Sequence, residues 1–313
     1  MTYPQEAAMS EENRADLERV NILLKERVLG FCTGTGREET AIDGLAISRR
    51  DEIDQIENCF YTPTVGIVLQ GYKSSMIGNE EYKYGELECL VAGVDMPSIF
   101  HLTDASPEKP FLAISLELDR YLITQLAAEI PPLPRHHKEH SYRGVVVAKV
   151  DYGVLDAFLR LLTLQDNPEQ IPVLAPLIKK EIYYRLLLGA HGNCLRTINT
   201  LGTQSNQIAQ AITWLRDNYK EPLLVEELAQ RVNMAPSTFH RHFRQVTTLS
   251  PLQFQKRLRL YEAQRLMLAD DKDANNAALD VGYESVSQFN REYKRLFGEP
   301  PFRDVNRLKV AHP

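Results

Sequence analysis

The chain has 313 residues, of which 43% are apolar and 25% charged, with 14 Tyr and 11 Phe. Such a length implies about two domains, and such a composition excludes disordered, collagen-like and coiled-coil classes. The net charge of −6 is unevenly divided: residues from Thr203 onward sum to +3 and those before it to −9, which points to a basic module attached to an acidic one.

No apolar run approaches the roughly 20 residues that a membrane span needs. The acidic stretch 1–19 has none of the marks of a signal or transit peptide, so a cytoplasmic protein without a membrane partner is expected. Cys32, Cys59, Cys89 and Cys194 are scattered with no C-x-x-C pair, as in reduced cytosolic proteins.

In chain order, residues 10–30 place Leu17, Val20, Leu24 and Val28 at helical spacing, and residues 1–40 form a helical N-terminal segment. From 40 to 117 the texture changes to short apolar runs punctuated by turn residues, at 65–70, 72–77, 82–84, 87–91 and 111–116. That spacing predicts an antiparallel sandwich or barrel. Helical spacing returns at 119–130 and stops at Pro131-Pro132, where a proline- and histidine-rich stretch, 131–140, predicts a loop. Two more helices are expected at 151–164 and 173–188. The second has a wide apolar face of Leu174, Leu177, Ile178, Ile182, Leu186 and Leu187 that suits either a core or a pairing with its own copy in a dimer. The Gly/Asn/Thr-rich stretch 189–205 is the expected domain boundary, dividing 41–199 from 205–308.

The second part contains an internal duplication. Ser237, Phe239, Arg241, Phe243 and Arg244 recur fifty positions later as Ser287, Phe289, Arg291, Tyr293 and Lys294, and Pro251 recurs as Pro301. Upstream, Ala229 followed by Asn233 matches Ala278 followed by Gly282. Each copy has the pattern of two helices around a tight turn: a small Ala for close crossing, then Asn or Gly, which tolerate positive φ. In the second helix of each copy the aromatics at i and i+4 face a core. The outer face then carries Ser237, His240, Arg241 and Arg244 in one copy and Ser287, Asn290, Arg291 and Lys294 in the other. Such donors suit base edges and phosphates in a major groove, although serines serve equally as helix caps.

These motifs, with Leu228-Ala229, Ser250-Pro251-x-x-Phe254, Arg259-Leu260-x-x-Ala263, Gly282-Tyr283 and Phe297-Gly298, resemble the DNA-binding domain of the AraC/XylS family of bacterial transcription regulators. The resemblance implies two helix-turn-helix units joined by one long helix at 251–268. By it, Ser237, His240, Arg241, Ser287, Asn290 and Arg291 lie where bases are read, with Arg244 and Lys294 better placed for phosphates. Thr248 departs from the family's usual Gly, and Ala274 and Ala277 from its larger aliphatics, changes expected to loosen packing locally. The first half, through Pro63-x-Val65-x-Ile67-x-Leu69-Gln70-Gly71-x-Lys73, Tyr82-x-Tyr84-Gly85 and Pro110-Phe111-Leu112-Ala113-Ile114, resembles the AraC subfamily that includes regulators of aldehyde reductases. That resemblance implies an α+β, cupin-like barrel with helices used for dimerisation, followed by the all-α DNA-binding domain.

An enzymatic barrel is disfavoured. It holds a single histidine, His101, where metal-dependent cupins use clustered ligands, so neither a metal nor another cofactor is expected. His136, His137 and His140 read as an exposed loop, and Gly34-Thr-Gly36 lacks the rest of a phosphate loop. Cys59, Tyr61, Gln70, Lys73, Cys89 and His101 are the candidate ligand-pocket residues; the cysteines are sensors if accessible and core residues if not. The expectation is a non-enzymatic, homodimeric one-component regulator, modulated by a small effector such as an aldehyde. Its partners are double-stranded promoter DNA and RNA polymerase. The alternative is a ligand-independent activator whose first domain only dimerises or contacts polymerase.

Overall fold

The computed structural model describes residues 11–53, 57–131 and 143–311. The first described element is helix α1 (Glu11–Phe31). Strands β1 (Gly36–Glu39), β2 (Leu45–Arg50), β3 (Glu57–Tyr61), β4 (Thr64–Gln70), β5 (Tyr72–Ile77), β6 (Glu80–Gly85), β7 (Glu88–Ala92), β8 (Met96–Asp104) and β9 (Phe111–Glu117) follow. After α2 (Arg120–Glu129), strand β10 (Val145–Lys149) completes two antiparallel sheets, ordered β1-β2-β9-β4-β7-β10 and β3-β8-β5-β6.

Strand alternation sets what each face meets. Val65, Ile67 and Leu69 of β4, with Leu112, Ile114 and Leu116 of β9, point outward into a core closed by Leu17, Val20, Leu24 and Val28 of α1. That core is completed by α3 (Tyr152–Thr163) and α4 (Ile171–Leu188), through Phe158, Leu162, Ile182 and Leu186. Helix α4 divides its apolar residues between two roles. Ile182, Tyr183, Leu186 and Leu187 are buried, while Val173, Leu174, Leu177, Tyr184 and Leu188 are exposed.

The stretch 189–205, expected as the domain boundary, contains a helix. Helix α5 (Gly192–Asn199) buries Cys194, Leu195 and Ile198, because its apolar residues fall at helical spacing despite the surrounding Gly and Thr. The helices α6 (Gln204–Asp217), α7 (Val225–Arg231), α8 (Pro236–Thr247), α9 (Pro251–Ala269), α10 (Ala274–Asp280), α11 (Val286–Phe297) and α12 (Pro301–Ala311) form the C-terminal part. A second core joins the inner barrel residues Val68, Leu90 and Phe100 to Ile212, Phe239, Phe243 and Phe254 of α6, α8 and α9. A third is confined to the last helices, around Leu260, Ala278, Phe289 and Tyr293. Among the described residues no helix is long and apolar enough to cross a membrane.

Candidate nucleic-acid interface and barrel cavity

The duplication seen in sequence is a duplication of hydrogen bonds. In the first unit Asn233 has φ 56° and the turn closes through Met234 N donating to the Ala229 carbonyl at 2.9 Å. In the second, Gly282 has φ 90° and Tyr283 N donates to the Ala278 carbonyl at 3.0 Å. Ala229 and Ala278 are both fully buried, so any larger side chain would hold the crossing helices apart. The inward aromatics stack alike, with ring centroids 5.5 Å apart for Phe239–Phe243 and 5.5 Å for Phe289–Tyr293.

With those faces buried, Ser237, His240, Arg241 and Arg244 are exposed on α8, and Ser287, Asn290, Arg291 and Lys294 on α11. His240, Arg241 and Arg244 border one surface depression with Gln245 and Ser250. Among the described residues Arg244, Arg291 and Lys294 have no carboxylate partner, and Arg241 contacts only the ring of His242, at 3.4 Å. Several other cations of this half are paired, such as Lys256 with Glu292 at 2.6 Å and Arg307 with Asp304 at 2.7 Å. Neither serine is a helix cap: α8 has no side-chain cap, and α11 is capped by Ser285, which accepts from Gln288 N at 3.3 Å. Their hydroxyls are left facing outward.

Helix α9 ties the units together. A Ser250–Gln253 capping box starts it. Arg259, within it, donates to the carbonyls of Tyr219, Gly282, Lys220 and Glu221 at 2.7–3.0 Å. Five guanidinium donors in a fixed plane suit this work, and one side chain thereby locks the second unit's turn to the end of α6. Sequence reading marks Arg259 as a motif residue but has no signal for its partners, which are backbone carbonyls distant in the chain. Helix α11 is further fixed by Asp304, fully buried, which accepts from Gln264, Tyr293 and Arg307 at 2.6, 2.8 and 2.7 Å.

Between the two sheets lies a cavity of about 380 Å³. Of the six candidate ligand residues, Cys59, Tyr61 and Lys73 line it. Tyr84 and Phe100 join them; the sequence does not single these out, because inward facing is set by strand register and β8 does not read as a strand. The Lys73 ammonium stands 3.5 Å from the Phe100 ring centroid and 5.7 Å from that of Tyr61, a cation–π arrangement. Burial pushes the Tyr61 phenol well above its usual pKa, so it stays a neutral donor.

The other three candidates do not line the cavity. Gln70 donates to the Pro110 carbonyl at 2.8 Å, at the register shift where β4 meets β9. Cys89 is fully buried on the helix-covered face of β7, and burial raises its thiol pKa, so it is no accessible thiolate. His101 alternates with Phe100 and is exposed on the outer side of β8. His136, His137 and His140 lie outside the described residues. Among the described residues no group of three or more His, Cys, Asp and Glu is arranged to hold a metal.

Comparison with known proteins gives two family matches: an AraC-type transcriptional regulator N-terminus over residues 41–194 and a helix-turn-helix domain over 228–305. The chain is 29% identical over 158 residues to the HTH-type transcriptional regulator ArgR of Pseudomonas aeruginosa, covering 50% of this chain and 47% of that one. It is 28% identical over 166 residues to the HTH-type transcriptional activator RhaS of Escherichia fergusonii, covering 52% and 58%. The chain thus spans about half the length of the curated relatives it matches. In fold it resembles the apo form of a ToxT point variant from Vibrio cholerae, with TM-score 0.56 and 8% identity, over 86% of this chain and 98% of that one.

Proposed function

The chain belongs to the AraC/XylS family of DNA-binding transcription regulators, and from that premise we propose that it is a one-component, effector-modulated activator. Its two outward helix faces, α8 and α11, read promoter DNA. The observation that carries this reading is the pair of exposed, donor-rich faces whose Arg244, Arg291 and Lys294 lack carboxylate partners among the described residues. On them, Ser237, His240, Arg241, Ser287, Asn290 and Arg291 contact bases, and Arg244 and Lys294 contact phosphates. Activation follows the named role of the RhaS relatives, and RNA polymerase is the partner we propose for it.

A small effector occupies the cavity lined by Cys59, Tyr61 and Lys73, and a small aldehyde is the first candidate from the N-terminal resemblance. A solved fold neighbour, ToxT from Vibrio cholerae, binds an unsaturated fatty acid, which supports ligand binding by this fold. The cavity favours this reading over that of a ligand-independent activator. A homodimer forms through the exposed apolar side of α4, where Val173, Leu177 and Leu188 are at least 46% exposed. The domains responsible are 41–199 for effector and dimer and 205–308 for DNA.

The test is binding of the purified protein to DNA upstream of its own and neighbouring genes, over a salt series, with and without small aldehydes. Saturable, sequence-selective binding that shifts with aldehyde supports the whole reading. Selective binding that ignores aldehyde removes the effector class, and the absence of selective binding on every tested promoter removes the reading itself. A counterion-release slope should accompany binding, because phosphate contacts displace condensed cations.

A further inference from the structure

Thr248 ends the first recognition helix in the left-handed region, at φ 62° and ψ 2°. A β-branched residue is strained there, and the matching position of the second unit is Gly298, at φ 85°. The support for Thr248 comes from the barrel. Asn79, in the β5–β6 turn, donates through its backbone N to Thr248 Oγ1 at 2.7 Å and through Nδ2 to the Thr248 carbonyl at 3.2 Å. Arg257 of α9 grips the same turn, donating to the Gly78 carbonyl at 2.6 Å and to Asn79 Oδ1 at 3.1 Å. Gly144 N, just before β10, donates to the Val246 carbonyl at 3.0 Å. The last carbonyls of a helix have no partner within it, and the bonds from Asn79 Nδ2 to the Thr248 carbonyl and from Gly144 N to the Val246 carbonyl occupy two of the sites that a C-terminal cap fills. Gly78 has φ 60°, and a Cβ on it would collide with Thr248 Oγ1 and the Thr247 carbonyl.

We propose that the β5–β6 turn is the C-terminal cap of the first recognition helix, and that Asn79 is a positioning residue for DNA reading by α8. Arg244 lies in the last turn of α8, so loss of the cap displaces it first. Strand β5 carries Lys73 of the cavity near one end and leads into Gly78 at the other, so one strand joins effector site and cap. The inference rests on the DNA-reading function proposed above, but the cap itself is measurable without DNA.

The experiment uses the full chain and a site selected from random-sequence DNA with the wild-type protein. Asn79→Ala should accelerate amide exchange at residues 244–249 by about tenfold, the factor that about one net hydrogen bond supports, while the barrel's exchange stays unchanged. Its affinity for the selected site should fall by a similar factor. The loss should vanish when the half-site read by α8 is scrambled and persist when the other half is scrambled. Adding Thr248→Gly to Asn79→Ala should restore both readouts, since glycine holds this conformation unaided. Thr248→Val, which leaves the barrel untouched, should reproduce the faster exchange should Asn79→Ala fail to fold. Unchanged exchange at 244–249, equal losses on both half-sites, or no rescue by glycine would overturn the proposal. A wild-type protein that selects no sequence would remove the DNA-reading function, while the exchange result still decides the cap.

Discussion

The two helix-turn-helix units share a repeat but not a foundation. In the first, Phe239 and Phe243 belong to one apolar core with barrel residues Val68, Leu90 and Phe100, and the recognition helix ends on a threonine bonded to the barrel. In the second, Phe289 and Tyr293 sit in a separate core, the helix ends on Gly298, and buried Asp304 of α12 fastens it locally. The difference teaches that a reading face is specified by a short local pattern, whereas its support is set by whatever packs behind it. The first unit shares a core with the barrel; the second has a core of its own and is tied to the rest through Arg259 and Tyr261 of α9.

Core truncation tests this division most severely. Phe243→Ala and Phe289→Ala should each cost about 3–5 kcal/mol, as buried phenylalanines do. The sole tryptophan, Trp214, lies in α6 and packs against the first unit's core, with Arg231 5.1 Å from its ring. Thermal melts followed by Trp214 fluorescence should therefore drop sharply for Phe243→Ala, and a barrel-wide amide-exchange loss should accompany them. Phe289→Ala should leave the Trp214 transition nearly in place and melt the second unit earlier. Identical Trp214 shifts in both variants would merge the two cores into one cooperative unit.

The repeat makes the reading faces legible because Ala, turn residue, aromatics and arginines each fix a local geometry: Asn233 and Gly282 both take the positive φ that their residue types favour. Half of the barrel is legible for the same reason, as 72–77 coincides with β5 and 65–70 lies within β4. Strands β1, β2, β3, β8 and β10 are not. Strand β1, Gly-Arg-Glu-Glu, is an edge strand without apolar residues, and β8 begins Met96-Pro97, where proline argues against a strand. Cavity membership is half legible: the strand register that sends His101 outward and Phe100 inward depends on single-residue phase. The bonds between halves have no signal, since Thr248 and Asn79 are 169 positions apart and Thr248 reads only as a missing glycine.

The recognition faces invite a second comparison. Arg241→Ala and Arg291→Ala should each weaken binding to a selected site by about 1–3 kcal/mol and relax base preference in one half-site only, with non-specific affinity nearly unchanged. Titrations on the intact site and on scrambled halves would assign each arginine. Equal losses on random DNA would make it a phosphate contact. Should the first unit depend on the barrel for its placement, Arg241→Ala should also lower the response of DNA affinity to any effector, and Arg291→Ala should not.

Exchanging the helix ends gives a smaller effect of unequal size. Gly298→Thr introduces a β-branched residue at positive φ with no neighbour within 4 Å of its new Cβ to hold it, and should cost about 1–2 kcal/mol. Thr248→Gly relieves the same strain but removes the hydroxyl that Asn79 meets, so a net change within about 0.5 kcal/mol is expected. Urea denaturation of both variants measures the contrast. A gain in stability for Thr248→Gly as large as the loss for Gly298→Thr would mean that the barrel bonds do not compensate the strain at Thr248.

Acid offers the gentlest separation, because the repeat puts His242 where the second unit has Glu292. Burial first, and then Arg241, lowers the His242 pKa below its ordinary 6.5, and burial likewise lowers that of His191 under the barrel. A histidine with a depressed folded-state pKa contributes stability that is complete above 6.5 and is lost as pH falls through the lowered value, since the unfolded chain takes the proton first. Burial alone would raise Glu292, but hydrogen bonds from Lys256, Gln288 and Tyr283 outweigh it and bring the pKa below its ordinary 4.5. Its contribution is intact above 4.5 and fades only below. As pH is lowered from about 8, the Trp214 melting temperature should begin to fall near 6.5, while protection of the α11 amides relative to their intrinsic exchange rates stays constant until below 4.5. His242→Gln should flatten part of the first decline without moving the second. A single decline common to both units would mean that the two cores titrate as one body, and that the separate foundation of the second unit does not extend to its stability.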